Sequence, residues 1–167
     1  TGCGITTDMG QTYTLNHATI ENIKVLNCDK DSYAIRMANF LHCKVSMIMA
    51  WGGPLLELYD NKPYFQPGNS IFDELYGHVK YDIAPIDYWN GPYPIFIHVN
   101  DSLPYEGRWI NLMNFRRIQI NNPIGCIDTD YYTMVLWNLR HTTFVDLDLE
   151  GSNCQNHTIL IGSCNTI

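Results

Sequence analysis

Residues 19–27, with the sequence TIENIKVLN, decide the fold class, because the apolar Ile23 and Val25 flank the polar Lys24. Side chains that alternate in this way lie on opposite faces of a β-strand. The same alternation recurs in three further stretches, at 79–83, 118–120 and 145–149. Almost no window has the spacing of three and four residues that is typical of an amphipathic helix. We therefore predict an all-β chain in which each strand buries one face.

A short turn that carries Asn recurs beside apolar residues. Its positions are Asn16, Asn39, Asn114, Asn138 and Asn165. The intervals are 23, 24 and 27 residues, apart from 75 positions between Asn39 and Asn114 that hold a further unit around 72–75 and extra material. This period, with several short strands in each unit, is typical of one coil of a right-handed parallel β-helix, a β-solenoid. A β-sandwich made of hairpins is the alternative fold.

Three segments rich in Pro, Gly and aromatic residues interrupt the predicted coils, at 61–68, 84–93 and 100–109. Loops inserted into a solenoid project to one side, because the strands cannot lengthen without breaking the stack. If the three segments leave the same corner, they form the walls of a groove.

Size and charge limit the class of protein. The 167 residues fit a single domain over 1–167, and because the sequence lacks an initiator Met we expect a segment of a longer or assembled protein. Acidic residues outnumber basic ones 17 to 10, and the net charge of −7 disfavours binding to nucleic acid or to an anionic membrane surface. The apolar stretches are too short to cross a bilayer, so we expect no membrane insertion.

The cysteines and histidines do not form a recognisable metal motif. The six cysteines include no Cys-x-x-Cys pair followed by a second pair, and the six histidines lack metal-binding spacing. We interpret most of the cysteines as buried thiols, with disulfides as the alternative. The sequence also lacks a Gly-x-Ser-x-Gly elbow and a phosphate-binding glycine loop. We therefore expect neither a metal nor a cofactor.

Three frames carry a resemblance to a known fold family: TIENIKVLN at 19–27, MANF at 37–40 leading to VSM at 45–47, and NFRRIQIN at 114–121. Over roughly residues 12–165, the chain resembles in its pattern the pectin-lyase-like right-handed β-helices, especially the bodies of bacteriophage tailspikes and virion adhesins. The resemblance implies a homotrimer, on the virion surface or extracellular, that binds and often cleaves a cell-surface polysaccharide of the host. The polygalacturonase motifs of the family have only partial counterparts at 128–130 and 77–79, so no catalytic residue is carried over.

Candidate catalytic carboxylates follow from the residues themselves. Asp128 and Asp130 are two positions apart, so on a strand they face the same side, which is compatible with the acid and base of glycoside hydrolysis. A solvated turn pair is the alternative interpretation. Glu106, in the third inserted segment, is a single candidate acid. The sequence leaves open whether the chain is an enzyme.

A charged row is predicted near the end of the chain. Asp146 and Asp148 are expected to share a face with Glu150, and Arg117 is expected on the same face one strand earlier. We predict that Arg117 pairs with Asp146 or Asp148 in a structural salt ladder.

Aromatic residues of the inserted segments are the candidate glycan contacts, because Tyr and Trp combine an apolar ring with a polar group. These candidates are Tyr64, Tyr88, Trp89, Tyr93, Tyr105 and Trp109. A subunit interface and simple loop packing are alternative roles. The leading hypothesis is a trimeric spike segment that recognises a host surface glycan. A polysaccharide depolymerase of the same fold, either a glycoside hydrolase or a lyase, and a purely structural fibre segment are the alternatives.

Overall fold

The computed structural model describes residues 4–7, 13–62, 65–79, 92–99, 109–122, 132–151, 159–162 and 164. These residues contain fourteen β-strands and no helix. The strands, in chain order, are β1 Ile5–Thr6, β2 Leu15–Asn16, β3 Thr19–Leu26, β4 Ile35–Ala38, β5 Phe40–Leu41, β6 Lys44–Gly52, β7 Leu56–Asp60, β8 Gly68–Val79, β9 Ile95–Val99, β10 Ile110–Asn122, β11 Met134–Trp137, β12 Leu139–Arg140, β13 Thr143–Gly151 and β14 Ile159–Gly162. The prediction of an all-β chain is confirmed.

The strands form two sheets that the chain visits in turn. The six-stranded sheet has the order β1-β4-β7-β9-β11-β14. The eight-stranded sheet contains the other strands, with β3, β6, β8, β10 and β13 as successive neighbours. Every strand pair among the described residues is parallel. The described pairs therefore lack the hairpins of the alternative β-sandwich, and the arrangement is compatible with a β-helix-like fold.

Two columns of left-handed backbone run across the eight-stranded sheet. The first column has φ between 45° and 54° at His17, His42, Asn69, Leu112 and His141, and the second has φ between 51° and 59° at Asn22, Met47, Glu74, Arg117 and Asp146. In the paired strands the register skips the second-column residue on both strands alike, so each of these residues forms a bulge-like bend without an extra residue on either strand. Each of these residues bends its strand and resets which side chains face the core.

The bulge changes one of the predicted faces. Strict alternation over 145–149 expects Val145 on the same buried face as Leu147. With Asp146 in the left-handed conformation, Val145 is instead 46% exposed, while Leu147 packs against the core. Ile118 and Ile120, which follow the bulge in β10, are both buried as predicted.

The main core combines buried side chains from both sheets and contains a ladder of aromatic rings. Phe72 and Phe115 stack with ring centroids 5.1 Å apart, and Phe115 and Phe144 stack at 4.8 Å. The three residues are paired in register on β8, β10 and β13, which makes the ladder a direct result of parallel pairing. Such ring pairs add about 0.5–1.5 kcal/mol each to the free energy gained by burial.

The described cysteines behave as thiols. Cys28 and Cys43 are buried, and Cys164 is half-buried. The Cys28 Sγ donates to the Ser32 carbonyl oxygen at 2.9 Å, and the Cys164 Sγ donates to that of Gly162 at 3.2 Å. The interpretation as buried thiols is confirmed for Cys28 and Cys43; the other three cysteines lie outside the described residues.

Candidate functional site

The outer face of the six-stranded sheet is polar toward its first strands and apolar toward its last. One row of this face pairs Arg36 with Glu57, and Glu57 with Phe96. The row continues through Val135 and Leu160. At the apolar end, a second hydrophobic cluster is formed by Tyr93, Phe96, Tyr132 and Val135, with Tyr33, Trp137 and Leu160 packed against it.

Four side chains at the polar end, Arg36, Glu57, Tyr59 and His98, form what we call the outer-face cluster. Its centre is the Glu57 carboxylate, whose Oε2 lies 2.5 Å from the Arg36 Nε and whose Oε1 lies 3.0 Å from the His98 Nε2. The Glu57 side chain is only 9% exposed, whereas that of Arg36 is 47% exposed. A carboxylate removed from water to this degree requires such charged and hydrogen-bonding partners.

Aromatic rings fix the imidazole of this cluster. The His98 ring stacks on Phe96 with centroids 3.9 Å apart and on Tyr59 with centroids 5.7 Å apart, and both pairs are within 13° of parallel. The Arg36 Cζ lies 4.8 Å from the centroid of the Tyr59 ring, within the range of a cation–π contact. The ring contacts therefore restrict the rotation of His98.

A partly buried tyrosine, Tyr33, lies close to this cluster. The Tyr33 hydroxyl accepts a hydrogen bond from the Tyr93 backbone N–H at 3.2 Å. Burial raises the pKa of Tyr33 well above its usual value, and the negative charge of Glu57 raises it further. Tyr33 is therefore a neutral phenol at physiological pH.

The strands explain how the cluster is assembled. In β7, Leu56 and Leu58 face the core and the intervening Glu57 faces outward; in β9, Ile95 and Ile97 take the core positions. Sequence reasoning missed Glu57 and His98 because both lie within mostly apolar strands. The signal was an acidic residue in LELYD and a histidine in IFIHV.

Most of the candidate residues predicted from the sequence lie outside the described residues. They are Glu106, Asp128 and Asp130 for catalysis, and Tyr64, Tyr88, Trp89 and Tyr105 for glycan contact. Trp109 is described; it is half-buried and directly precedes β10. Tyr93 is fully buried in the second hydrophobic cluster, so its ring is covered by protein and is not offered to a glycan.

The strand ends separate the three inserted segments into two groups. Segments 61–68 and 100–109 lead from the six-stranded to the eight-stranded sheet, whereas segment 84–93 leads in the opposite direction. The condition for a groove walled by all three segments, a common corner, is therefore not met by the middle segment. Tyr59 and His98 come just before segments 61–68 and 100–109, which places the outer-face cluster at the edge where these two segments leave.

Arg117 forms its salt bridges with a different strand from the one predicted. The Arg117 guanidinium pairs with Asp73 at 2.6 Å and with Glu74 at 3.1 Å, both on the preceding strand, rather than with Asp146 or Asp148 on the following one. These carboxylates raise the pKa of Arg117, chiefly through the hydrogen bond to Asp73. Because Arg117 occupies the left-handed column, its side chain does not follow the row that regular alternation predicts.

The outer face of the eight-stranded sheet carries another aromatic pair. Trp51 and His78 are in register, and their rings stack at 4.1 Å. Trp51 is 39% exposed, and its register neighbour Leu26 is 56% exposed. His78 therefore covers one face of the Trp51 indole.

Among the described residues, no group of three or more His, Cys, Asp or Glu side chains could hold a metal ion, and no helix is suited to cross a membrane. Comparison of the chain with family models, with curated proteins and with solved structures gave no match.

Proposed function

We propose that the chain is a right-handed parallel β-helix that forms part of a trimeric spike on a virion or cell surface and binds a host surface polysaccharide. Strictly parallel pairing supports the helical architecture, as does the alternation of the chain between two sheets. The left-handed columns support it as well, because they recur at equivalent positions of five successive strand sets.

The outer-face cluster is the observation that carries the binding proposal. Sugar hydroxyls require directed donors and acceptors. The half-exposed Arg36 guanidinium supplies donors, and the Glu57 carboxylate holds Arg36 and His98 in place within hydrogen-bond distance. The Tyr59 ring is buried beside them and holds the His98 imidazole and the Arg36 guanidinium in position. A surface that served only to support the fold has no need of a mostly buried carboxylate.

The position of the cluster connects it with the inserted segments. Segments 61–68 and 100–109 begin within two residues of Tyr59 and His98. Both segments contain candidate aromatic contacts, Tyr64 and Tyr105. We propose that these residues and the outer-face cluster form one binding surface, with the cluster as its base.

Polysaccharide binding by paired variants tests this assignment. Binding of purified capsular polysaccharides and lipopolysaccharide O-chains is measured by calorimetry for the wild type, for Tyr64→Ala/Tyr105→Ala, and for Tyr88→Ala/Trp89→Ala, whose segment joins the sheets in the opposite direction. We expect the first double variant to lose at least about tenfold in affinity, since aromatic contacts dominate such sites, and the second to keep the wild-type affinity. Circular dichroism controls for folding.

Two results contradict the proposal. If the wild type binds none of the polysaccharides, the binding function is wrong. If only Tyr88→Ala/Trp89→Ala loses affinity, the binding surface lies at the opposite edge and the outer-face cluster is not its base. Sedimentation equilibrium tests the trimer separately, and a monomer at micromolar concentration contradicts that part.

A further inference from the structure

The identity of Glu57 is not explained by packing. Its register neighbours along the outer row are the half-exposed Arg36 on one side and the apolar, fully buried Phe96 on the other, and Val135 beyond Phe96 is also buried. An apolar side chain at position 57 therefore fits the row, whereas a mostly buried carboxylate costs free energy that its ion pair with Arg36 only partly offsets. Buried charges with specific partners are concentrated at functional sites.

The geometry gives His98 one protonation pattern. A Glu57 carboxylate that pairs with Arg36 offers His98 only an acceptor oxygen, so the contact of 3.0 Å assigns the hydrogen to the His98 Nε2, which donates it. In the neutral imidazole, the lone pair is then on Nδ1. A histidine oriented by a carboxylate in this way is the arrangement of a general base.

We infer that His98 is a general base that hydrolyses O-acyl esters on the bound polysaccharide, with Glu57 as its positioning residue. The inference rests on the proposed function, because the ester must be carried by a glycan that binds at the same site. Hydrolysis of the glycosidic bond fits the cluster less well, since that reaction requires two carboxyl groups at a set separation. Both oxygens of Glu57 are already occupied by Arg36 and His98.

The reaction is balanced with water as the only co-reactant. A water molecule gives a proton to the His98 Nδ1 while its oxygen bonds to the ester carbonyl carbon. The bond from the carbonyl carbon to the sugar oxygen then breaks, and the imidazolium returns the proton to that oxygen. The products are a free sugar hydroxyl and a carboxylic acid.

Acetate release tests the inference. The assay uses an O-acetylated bacterial polysaccharide and 4-nitrophenyl acetate with the full chain, and compares the wild type with His98→Gln, Glu57→Gln and His141→Asn. We expect His98→Gln to lower kcat by about 10²- to 10⁴-fold, the usual contribution of a general base. His141→Asn is the matched control, because this exposed histidine lies in the first left-handed column, where Asn is also well accommodated. We expect its activity to be unchanged.

Two readouts distinguish chemistry from structural damage. Added imidazole is expected to restore activity to His98→Ala and to leave Glu57→Gln and the wild type unaffected, because only the first variant has lost the base itself. For Glu57→Gln we expect a lower kcat with little change in KM, as for a group that orients the base.

The outcomes separate the inference from the binding proposal. A wild type that binds polysaccharide but releases no acetate refutes the inference and leaves the binding proposal standing. A wild type that neither binds nor releases acetate refutes both. Acetate release that persists in His98→Gln, or a His98→Ala variant that imidazole does not rescue, refutes the role of His98.

Discussion

Gly68 offers the most direct test of the strand packing. It is the first residue of β8, with φ at 154°, and its Cα faces the backbone of Asn111 on β10. A Cβ at this position lies 1.9 Å from the Asn111 carbonyl oxygen, whereas ordinary contacts begin at 3.4 Å. In Gly68→Ala, the two backbones must therefore separate by about 1.5 Å, and no side-chain rotation relieves the contact.

The expected cost follows from the hydrogen bonds at this point. The Asn111 N–H donates to the Pro67 carbonyl at 2.9 Å, and the Gly68 carbonyl accepts from the His42 N–H at 3.2 Å and from the Ser70 hydroxyl at 2.8 Å. A displacement of this size disrupts the bonds of Asn111 and His42, which join different segments, whereas the Ser70 bond lies within β8 and moves with Gly68. At about 1 kcal/mol each, the loss of two bonds lowers the free energy of unfolding by about 2 kcal/mol, and residual backbone strain adds to this loss.

Gly77→Ala is the matched control. A Cβ at Gly77 meets the Ile120 Cδ1 at 2.8 Å and the Leu55 Cβ at 3.2 Å, both side-chain atoms of the core. Repacking of side chains absorbs such overpacking at about 1–2 kcal/mol. Urea unfolding followed by tryptophan fluorescence measures both variants. If Gly68→Ala costs no more than Gly77→Ala, the close approach of β8 and β10 does not limit stability and the reasoning is wrong.

Three further outcomes are expected. Phe115→Ala removes the middle of the ring ladder and should lower the free energy of unfolding by about 4 kcal/mol. Phe144→Ala, at the half-buried end of the ladder, should lower it by about half as much. Equal losses, measured by urea unfolding, contradict the ladder. Because folding raises the pKa of Tyr33, the neutral phenol contributes its full stabilisation below about pH 10, and this contribution is lost above that pH, where only the unfolded chain ionises the phenol. Between pH 9 and 11, the free energy of unfolding of Tyr33→Phe should therefore fall less than that of the wild type, and equal falls exclude this cause. The thiol of Cys43 is buried and, in a variant whose other five cysteines are replaced by Ser, should react with Ellman's reagent only on unfolding; rapid labelling of that variant in its native state contradicts the burial of Cys43.

The sequence pattern predicted well where the strands lie, and less well which side chains of each strand face the core. Alternation identified the buried positions of β10, such as Ile118, because those residues are extended. It failed at Val145, because Asp146 adopts the left-handed conformation. The equivalent column contains Met47 and Arg117, whose residue types have no preference for that conformation. The bulge is imposed by the neighbouring strands and leaves no local mark in the sequence.

The outer-face cluster could not be predicted from local sequence, because its residues come from distant parts of the chain. Glu57 and His98 are 41 positions apart, and they meet only because β7 and β9 are parallel neighbours in register. The spacing of the Asn turns gave an approximate repeat length but not which residues of neighbouring strands are paired. Exact register is decided by packing over the whole sheet, which a single sequence does not reveal.

The left-handed columns define where this chain tolerates change in length. In each of the five strand sets, the two columns are five positions apart, as at His17 and Asn22 or at Leu112 and Arg117. The intervals from one set to the next vary between 25 and 43 residues. The differences in length thus lie outside the span between the two columns, and that span has the same length in every set. For protein engineering, this makes the chain a scaffold in which foreign loops can be grafted at the sheet edges. A single residue added between the columns would instead move the core-facing side chains in the remainder of that strand to the outer face.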